Sequence, residues 1–180
     1  IFGSCWGLQV LATAAGGHVR KNPKGLEAVI AKKITLNKQG INHPMYNDKP
    51  YTFDSFCWHY DIVEKLPANS IVLSSNDNSD YQSVTFSRNN SEVWGVQYHP
   101  EFNSKWISGL ISQRKSILLE ENIFSSEHDF NIMYNYLSDL NKYDSLRKDL
   151  EISDTLIDDK IRYRELINWL THLKDNFSSI

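Results

Sequence analysis

Apolar and polar positions follow two regimes along this chain, and the change comes near Phe102. Ile1-Phe2-Gly3-Ser4 reads as the end of a strand and a tight turn. From Trp6, the spacing of Leu8, Leu11, Ala12, Ala14 and Ala15 predicts a packed helix, which Gly16-Gly17 stops. Ala28-Val29-Ile30-Ala31 and Ile34-Thr35-Leu36 read as strands, and the polar stretch 37–50, with Gly40 and Pro44, as loop. Tyr51-Thr52-Phe53 and Phe56-Cys57-Trp58-His59-Tyr60 are rich in β-formers. Leu66-Pro67-Ala68-Asn69 is a turn, Ile71-Val72-Leu73 a short buried strand, and 74–80 a Ser, Asn and Asp loop. The stretches 81–86 and 93–98 read as a hairpin across Arg88-Asn89-Asn90-Ser91, leading into His99-Pro100-Glu101.

Beyond Phe102 the period becomes helical. Trp106, Leu110, Ile111 and Ile117 keep it, as do Phe130, Met133, Tyr134 and Leu137. A final helix carries Tyr163, Leu166, Ile167, Leu170 and Leu173. A mixed first part and a helical second part predict α/β with a C-terminal helical extension, divided as 1–115 and 116–180.

Composition narrows the classes. The 180 residues carry 41% hydrophobic and 23% charged residues, with eight Phe, nine Tyr and five Trp to build a core. A net charge of −3 does not suit a nucleic-acid or membrane-surface binder. The apolar runs are too short to span a membrane, and the N-terminus lacks the basic and apolar regions of a signal peptide. Two cysteines, Cys5 and Cys57, are too few for a disulfide framework, so a reducing, cytoplasmic setting is expected. The histidines lack ligand spacing, so neither metal nor other cofactor is expected. The chain opens at Ile1 with its strongest motif two residues later, which suggests the later part of a longer protein.

That motif is Gly3-Ser4-Cys5-Trp6-Gly7, a G-x-C-x-G elbow. A nucleophile between strand and helix sits in a sharp turn, and small neighbours let the backbone pass close to itself. The helix start would aim N–H groups at the sulfur, favouring thiolate and lowering the pKa, and the Trp6 N–H would face a developing oxyanion. Taken alone, the motif also describes a buried cysteine in a glycine-rich turn. The second motif is Trp94-Gly95-Val96-Gln97-Tyr98-His99-Pro100-Glu101-Phe102. A strand delivers His99, Pro100 turns the chain, and Glu101 can fold back onto the imidazole to fix its tautomer. Alone, this also describes a surface histidine beside a solvated carboxylate.

Together the two motifs resemble the class I glutamine amidotransferases, from Gly3 to about Phe102. Lys21-Asn22-Pro23-Lys24-Gly25, the H-x-D-x-V segment His59 to Val63 and the tail R-E-L-I-N-W-L resemble the GMP-synthase-like, stand-alone branch. The resemblance implies a flavodoxin-like sheet, incomplete here at its N-terminus. It also implies a glycine-rich loop before the elbow that supplies a second oxyanion donor. It implies Cys5, His99 and Glu101 as the catalytic triad, with Trp6 backbone at the oxyanion. Gly3, Gln9, Trp58 and His59 would line the glutamine site, the last two through backbone. Cys57 has no such motif and reads as a core thiol.

The implied activity is hydrolysis of the glutamine side-chain amide through a Cys5 thioester, with ammonia passed to a synthase subunit on another chain. The chain carries no G-x-x-x-x-G-K phosphate loop of its own. A γ-glutamyl peptidase or hydrolase would use the same triad, and a non-catalytic, partner-binding module would keep only the fold. Papain-like proteases share G-S-C-W but place histidine further downstream, with Asn after it, usually among several disulfides.

Overall fold

The computed structural model describes residues 1–177, in which strands fill the first part and helices the second. The strands are β1 (Phe2–Ser4), β2 (His18–Lys21), β3 (Glu27–Leu36), β4 (Thr52–His59), β5 (Asp61–Lys65), β6 (Ile71–Ser75), β7 (Ser83–Arg88) and β8 (Ser91–Val96). The helices are α1 (Trp6–Ala14), α2 (Lys38–Ile41), α3 (Ser104–Gln113), α4 (Lys115–Glu120), α5 (Glu127–Ser138), α6 (Asp154–Ile157), α7 (Asp159–Arg162) and α8 (Arg164–Phe177). Six strands form one sheet in the order β1-β8-β7-β6-β3-β4, and β2 pairs with β5 in a separate ribbon. β1 runs parallel to β8, while the other pairings are antiparallel. The expected α/β class and helical extension are what the chain adopts.

Several strand expectations are corrected in detail. The two segments read at 28–36 are one strand, β3, with a register shift between Ala31 and Ile34. The bulge lets Lys32 and Lys33 face solvent without ending the strand. Asp54 and Ser55 do not interrupt β4, because both are buried and the Asp54 carboxylate accepts the Lys33 N–H at 2.8 Å. The stretch 37–50 holds α2 and a 3₁₀ turn whose Met45 and Tyr46 enter the core, so it is more than a loop. β2 and β5 carry too many charges to show a strand pattern. The β7–β8 hairpin closes on Asn89 and Asn90, both at positive φ (49° and 62°), as a primed two-residue turn needs.

Both faces of the sheet are covered. Along β4, Phe56 joins a core with Ile107, Leu118 and Tyr136 from the helical part, while Phe53 and Cys57 join another with Trp94 and Tyr98. The odd and even positions of one strand thus serve opposite layers. α8 closes the second layer: Asn168 Nδ2 donates to the Met45 and Asn47 carbonyls, both at 2.9 Å. Beneath it, Lys49 and Glu165 form an ion pair at 2.9 Å with side chains 1% and 0% exposed, and Tyr98 donates its hydroxyl to Glu165 at 2.7 Å. Among the described residues no helix is long and apolar enough to cross a membrane.

Candidate active site

The site is built where β1 and β8 end together. Ser4 pairs with Val96 at the last rung, and the Cys5 N–H continues the ladder to the Val96 carbonyl at 2.8 Å. The chain then bends sharply: Cys5 has φ 49° and ψ −107°, a strained conformation for a residue with a side chain. Such strain costs roughly 1–3 kcal/mol and persists only where the surroundings enforce it. The enforcement is steric. A Cβ at Gly3 would lie 2.7 Å from Leu11 Cδ1 and 2.9 Å from the Gly7 backbone, and one at Gly95 would lie 2.5 Å from Leu8 Cδ1. Glycines 3 and 95 therefore let α1 sit directly on the β1–β8 pair. Gly7 has open space where its Cβ would be, so the second glycine of the elbow is not sterically required.

Three groups touch the Cys5 sulfur. The Trp6 backbone N–H points at it, Gln97 Nε2 donates to it at 3.7 Å, and the thiol donates to the Trp58 carbonyl at 3.6 Å. The expected depressed pKa is not found. Burial pushes the thiol up to about 11; the Trp6 N–H and Gln97 oppose this, while the negative charge of Glu101 adds to it. Desolvation outweighs the helix start, and the Trp58 carbonyl favours the protonated form. Cys57 is buried in the core, where desolvation also drives its thiol well up.

His99 and Glu101 lie just past β8. The His99 N–H is held by the Phe56 carbonyl at 2.8 Å, and its ring stacks on Phe102 at 3.9 Å, which stacks in turn on half-exposed Trp106 at 3.7 Å. His99 Nδ1 meets Glu101 Oε1 at 2.6 Å, and Ser4 donates its hydroxyl to the same oxygen at 3.0 Å. Burial raises the Glu101 carboxyl, but the hydrogen bond and charge of His99, with Ser4 behind them, hold it below its usual range. A carboxylate accepts only, so Nδ1 carries the proton and Nε2 is the nitrogen free to exchange one.

The other expected residues gather around the same corner. Gly3 is in β1 beneath the elbow, and Trp6 turns its indole to solvent, 75% exposed. Gln9 is buried, its amide donating to the Asp61 carbonyl at 2.8 Å and to Gln97 Oε1 at 3.3 Å. Trp58 faces the sulfur through its carbonyl. The His59 ring turns away from the sulfur into a buried pair with Glu27 at 2.8 Å. An open groove of about 470 Å³ runs beside the elbow, walled by Trp6, Gln9, Val10, Thr13 and Asp61. Sequence reasoning missed Ser4 and Gln97 as contacts, although both sit inside its two motifs. Among the described residues no group of three or more His, Cys, Asp or Glu could hold a metal ion.

Residues 1–114 match the family model "Glutamine amidotransferase class-I". A gamma-glutamyl-L-1-hydroxyisopropylamide hydrolase of a Pseudomonas species is 31% identical over 182 residues, covering 96% of this chain and 60% of that protein. A glutamine-hydrolyzing GMP synthase of Thermosipho africanus is 32% identical over 118 residues, 63% of this chain and 21% of that one. The crystal structure of a glutamine amidotransferase from Thermotoga maritima superposes with a TM-score of 0.64 at 19% identity, covering 94% of this chain and 61% of that chain. The chain therefore spans less than two thirds of each of these proteins.

Proposed function

The chain belongs to the class I glutamine amidotransferase family, and from that premise we propose that it hydrolyses the side-chain amide of glutamine through a covalent thioester on Cys5. One observation carries the reading: Cys5 and the His99–Glu101 pair occupy the same end of the paired strands β1 and β8, tied together by the Ser4–Glu101 hydrogen bond.

The thiol proton passes from Cys5 to His99 Nε2 as the sulfur attacks the amide carbon. With a thiol held near 11, proton transfer accompanies attack instead of preceding it. The Trp6 N–H, released from the sulfur, donates to the oxyanion. His99 then protonates the departing nitrogen and the C–N bond breaks, leaving the γ-glutamyl thioester and ammonia. A water gives its proton to His99, attacks the thioester and releases glutamate, and the proton returns to the sulfur. Glu101 stabilises the imidazolium throughout. Gly3, Gln9 and the backbone of Trp58 and His59 line the glutamine site. The catalytic unit is 1–115, the match to 1–114 supporting that boundary, with 116–180 as its extension. A synthase subunit that accepts the ammonia, and a cytoplasmic setting, belong to the same proposal.

A second reading is hydrolysis of a substituted γ-glutamyl amide. It is favoured by the Pseudomonas hydrolase, whose similarity runs over 96% of this chain, whereas that of the GMP synthase covers 63%. Trapping decides whether either holds: the full-length natural protein, quenched in acid during turnover, should carry a hydroxylamine-labile γ-glutamyl adduct on Cys5. An adduct on another residue, or none on Cys5, would contradict the reading.

A further inference from the structure

The sulfur of Cys5 is the end of a continuous line of hydrogen bonds between buried side chains, joined through one backbone carbonyl, and a carboxylate stands at its other end. Gln97 donates to the sulfur at 3.7 Å and accepts from Gln9 at 3.3 Å. Gln9 donates its other amide proton to the Asp61 carbonyl at 2.8 Å. His59 Nδ1 faces that same carbonyl at 3.1 Å, and His59 Nε2 faces Glu27 Oε2 at 2.8 Å. Glu27 also accepts from Asn76 at 2.7 Å, Gln82 at 2.9 Å and Asn78 at 3.2 Å. The side-chain members of the line, Gln97, Gln9, His59 and Glu27, are all at most 7% exposed.

The donor and acceptor pattern gives the line a direction. The Asp61 carbonyl and the Glu27 carboxylate are both acceptors, one facing each nitrogen of the His59 ring. The anionic partner keeps such a ring in place at burial, and four donors keep the anion. Burial raises the Glu27 carboxyl, but His59, Asn76 and Gln82 bring it below its usual range, so it is the charged form that is held. His59 thereby clamps the bend 58–61, whose two ends present the Trp58 and Asp61 carbonyls to the nucleophile's surroundings.

We propose that Glu27 is a positioning residue for the Cys5 reaction: through His59 it fixes the Asp61 carbonyl, that carbonyl holds Gln9, and Gln9 orients the Gln97 amide at the sulfur. The proposal rests on Cys5 as the nucleophile. Without the clamp the Gln9 amide loses its fixed acceptor, Gln97 loses its orientation, and the N–H that opposes the burial of the thiolate is withdrawn. A carboxylate serving stability alone would change melting without changing the thiol.

The test reads the thiol and not turnover. Alkylation of Cys5 by iodoacetamide is followed by peptide mass spectrometry at about pH 8, where the rate tracks thiolate. The proteins are the full-length natural chain, Glu27→Gln, Gln9→Met and the double variant, each with its melting temperature. Glu27→Gln should slow Cys5 alkylation about tenfold, the effect of one pKa unit. Gln9→Met should do the same, and the double variant should be no slower than either single one, because both act through one line. An unchanged rate in Glu27→Gln, or effects that multiply in the double variant, would overturn the proposal. Should Glu27→Gln not fold, ¹⁵N spectra of the wild-type histidines decide: a protonated His59 Nδ1 supports the line, and a bare one overturns it. Absence of Cys5-dependent turnover in the wild type would instead remove the nucleophile assignment, an outcome separate from the coupling between Glu27 and Gln9.

Discussion

Ser4 donates its hydroxyl to Glu101 at 3.0 Å across 97 positions of chain, so the residue before the elbow cysteine holds the carboxylate that orients His99. The two motifs are therefore one hydrogen-bonded unit. Removing this link should weaken catalysis without unmaking the site. Ser4→Ala should lower kcat about three- to tenfold, the worth of one hydrogen bond to a charged group discounted for a carboxylate 40% exposed. The Glu101 carboxyl should rise, so the acid limb of the pH–rate profile should move upward.

The glycines of the elbow should behave differently from one another. Gly95→Ala and Gly3→Ala force a Cβ into α1 at 2.5 and 2.7 Å, and each should cost about 2 kcal/mol or more in denaturant unfolding. Gly7→Ala meets nothing within 4 Å and lies within a helix, so it should be neutral or stabilise by about 0.5–1 kcal/mol. A Gly7→Ala variant as unstable as Gly95→Ala would contradict this account of the turn.

Lys49 and Glu165 are buried against each other beneath α8. Truncating one partner strands a buried charge, so Glu165→Leu should cost about 3–5 kcal/mol. Lys49→Met with Glu165→Leu should be less destabilised than Glu165→Leu alone, which thermal melts would show directly.

Stability should also depend on pH in one direction. Glu27 and Glu101 both titrate below their usual value of 4.5 in the folded chain. A carboxyl depressed by folding adds stability above its unfolded value and loses it as pH falls through the folded one. Unfolding free energy should hold down to about pH 4.5 and then fall, and Glu27→Gln should flatten that fall. A rise in stability below that pH would contradict the ionised state of both groups.

The parts of the molecule that were legible in the sequence are those where local pattern and chemistry coincide. The strand–elbow–helix around Cys5 shows itself in small residues flanking one sulfur, and the hairpin before His99 in paired asparagines between two apolar runs. Other parts are invisible because their partners are remote. Glu27 precedes the strand read from Ala28, Asn76 and Asn78 fall in the polar loop 74–80 and Gln82 in the strand read at 81–86, and only the fold puts the three donors on one carboxylate. The Lys49–Glu165 pair joins positions 116 apart. The depressed thiol pKa that a helix start predicts is overturned for a related reason: the start is visible in sequence, but the burial that outweighs it is a tertiary property.

Release of ammonia from glutamine, and of amine from a γ-glutamyl alkylamide, should be measured with the full-length natural protein and its Cys5→Ala variant. Turnover of glutamine that disappears in Cys5→Ala is the predicted result, and turnover of the alkylamide alone would move the assignment to the γ-glutamyl hydrolase. Turnover that survives in Cys5→Ala, or no turnover of either substrate by the wild type, would contradict the account.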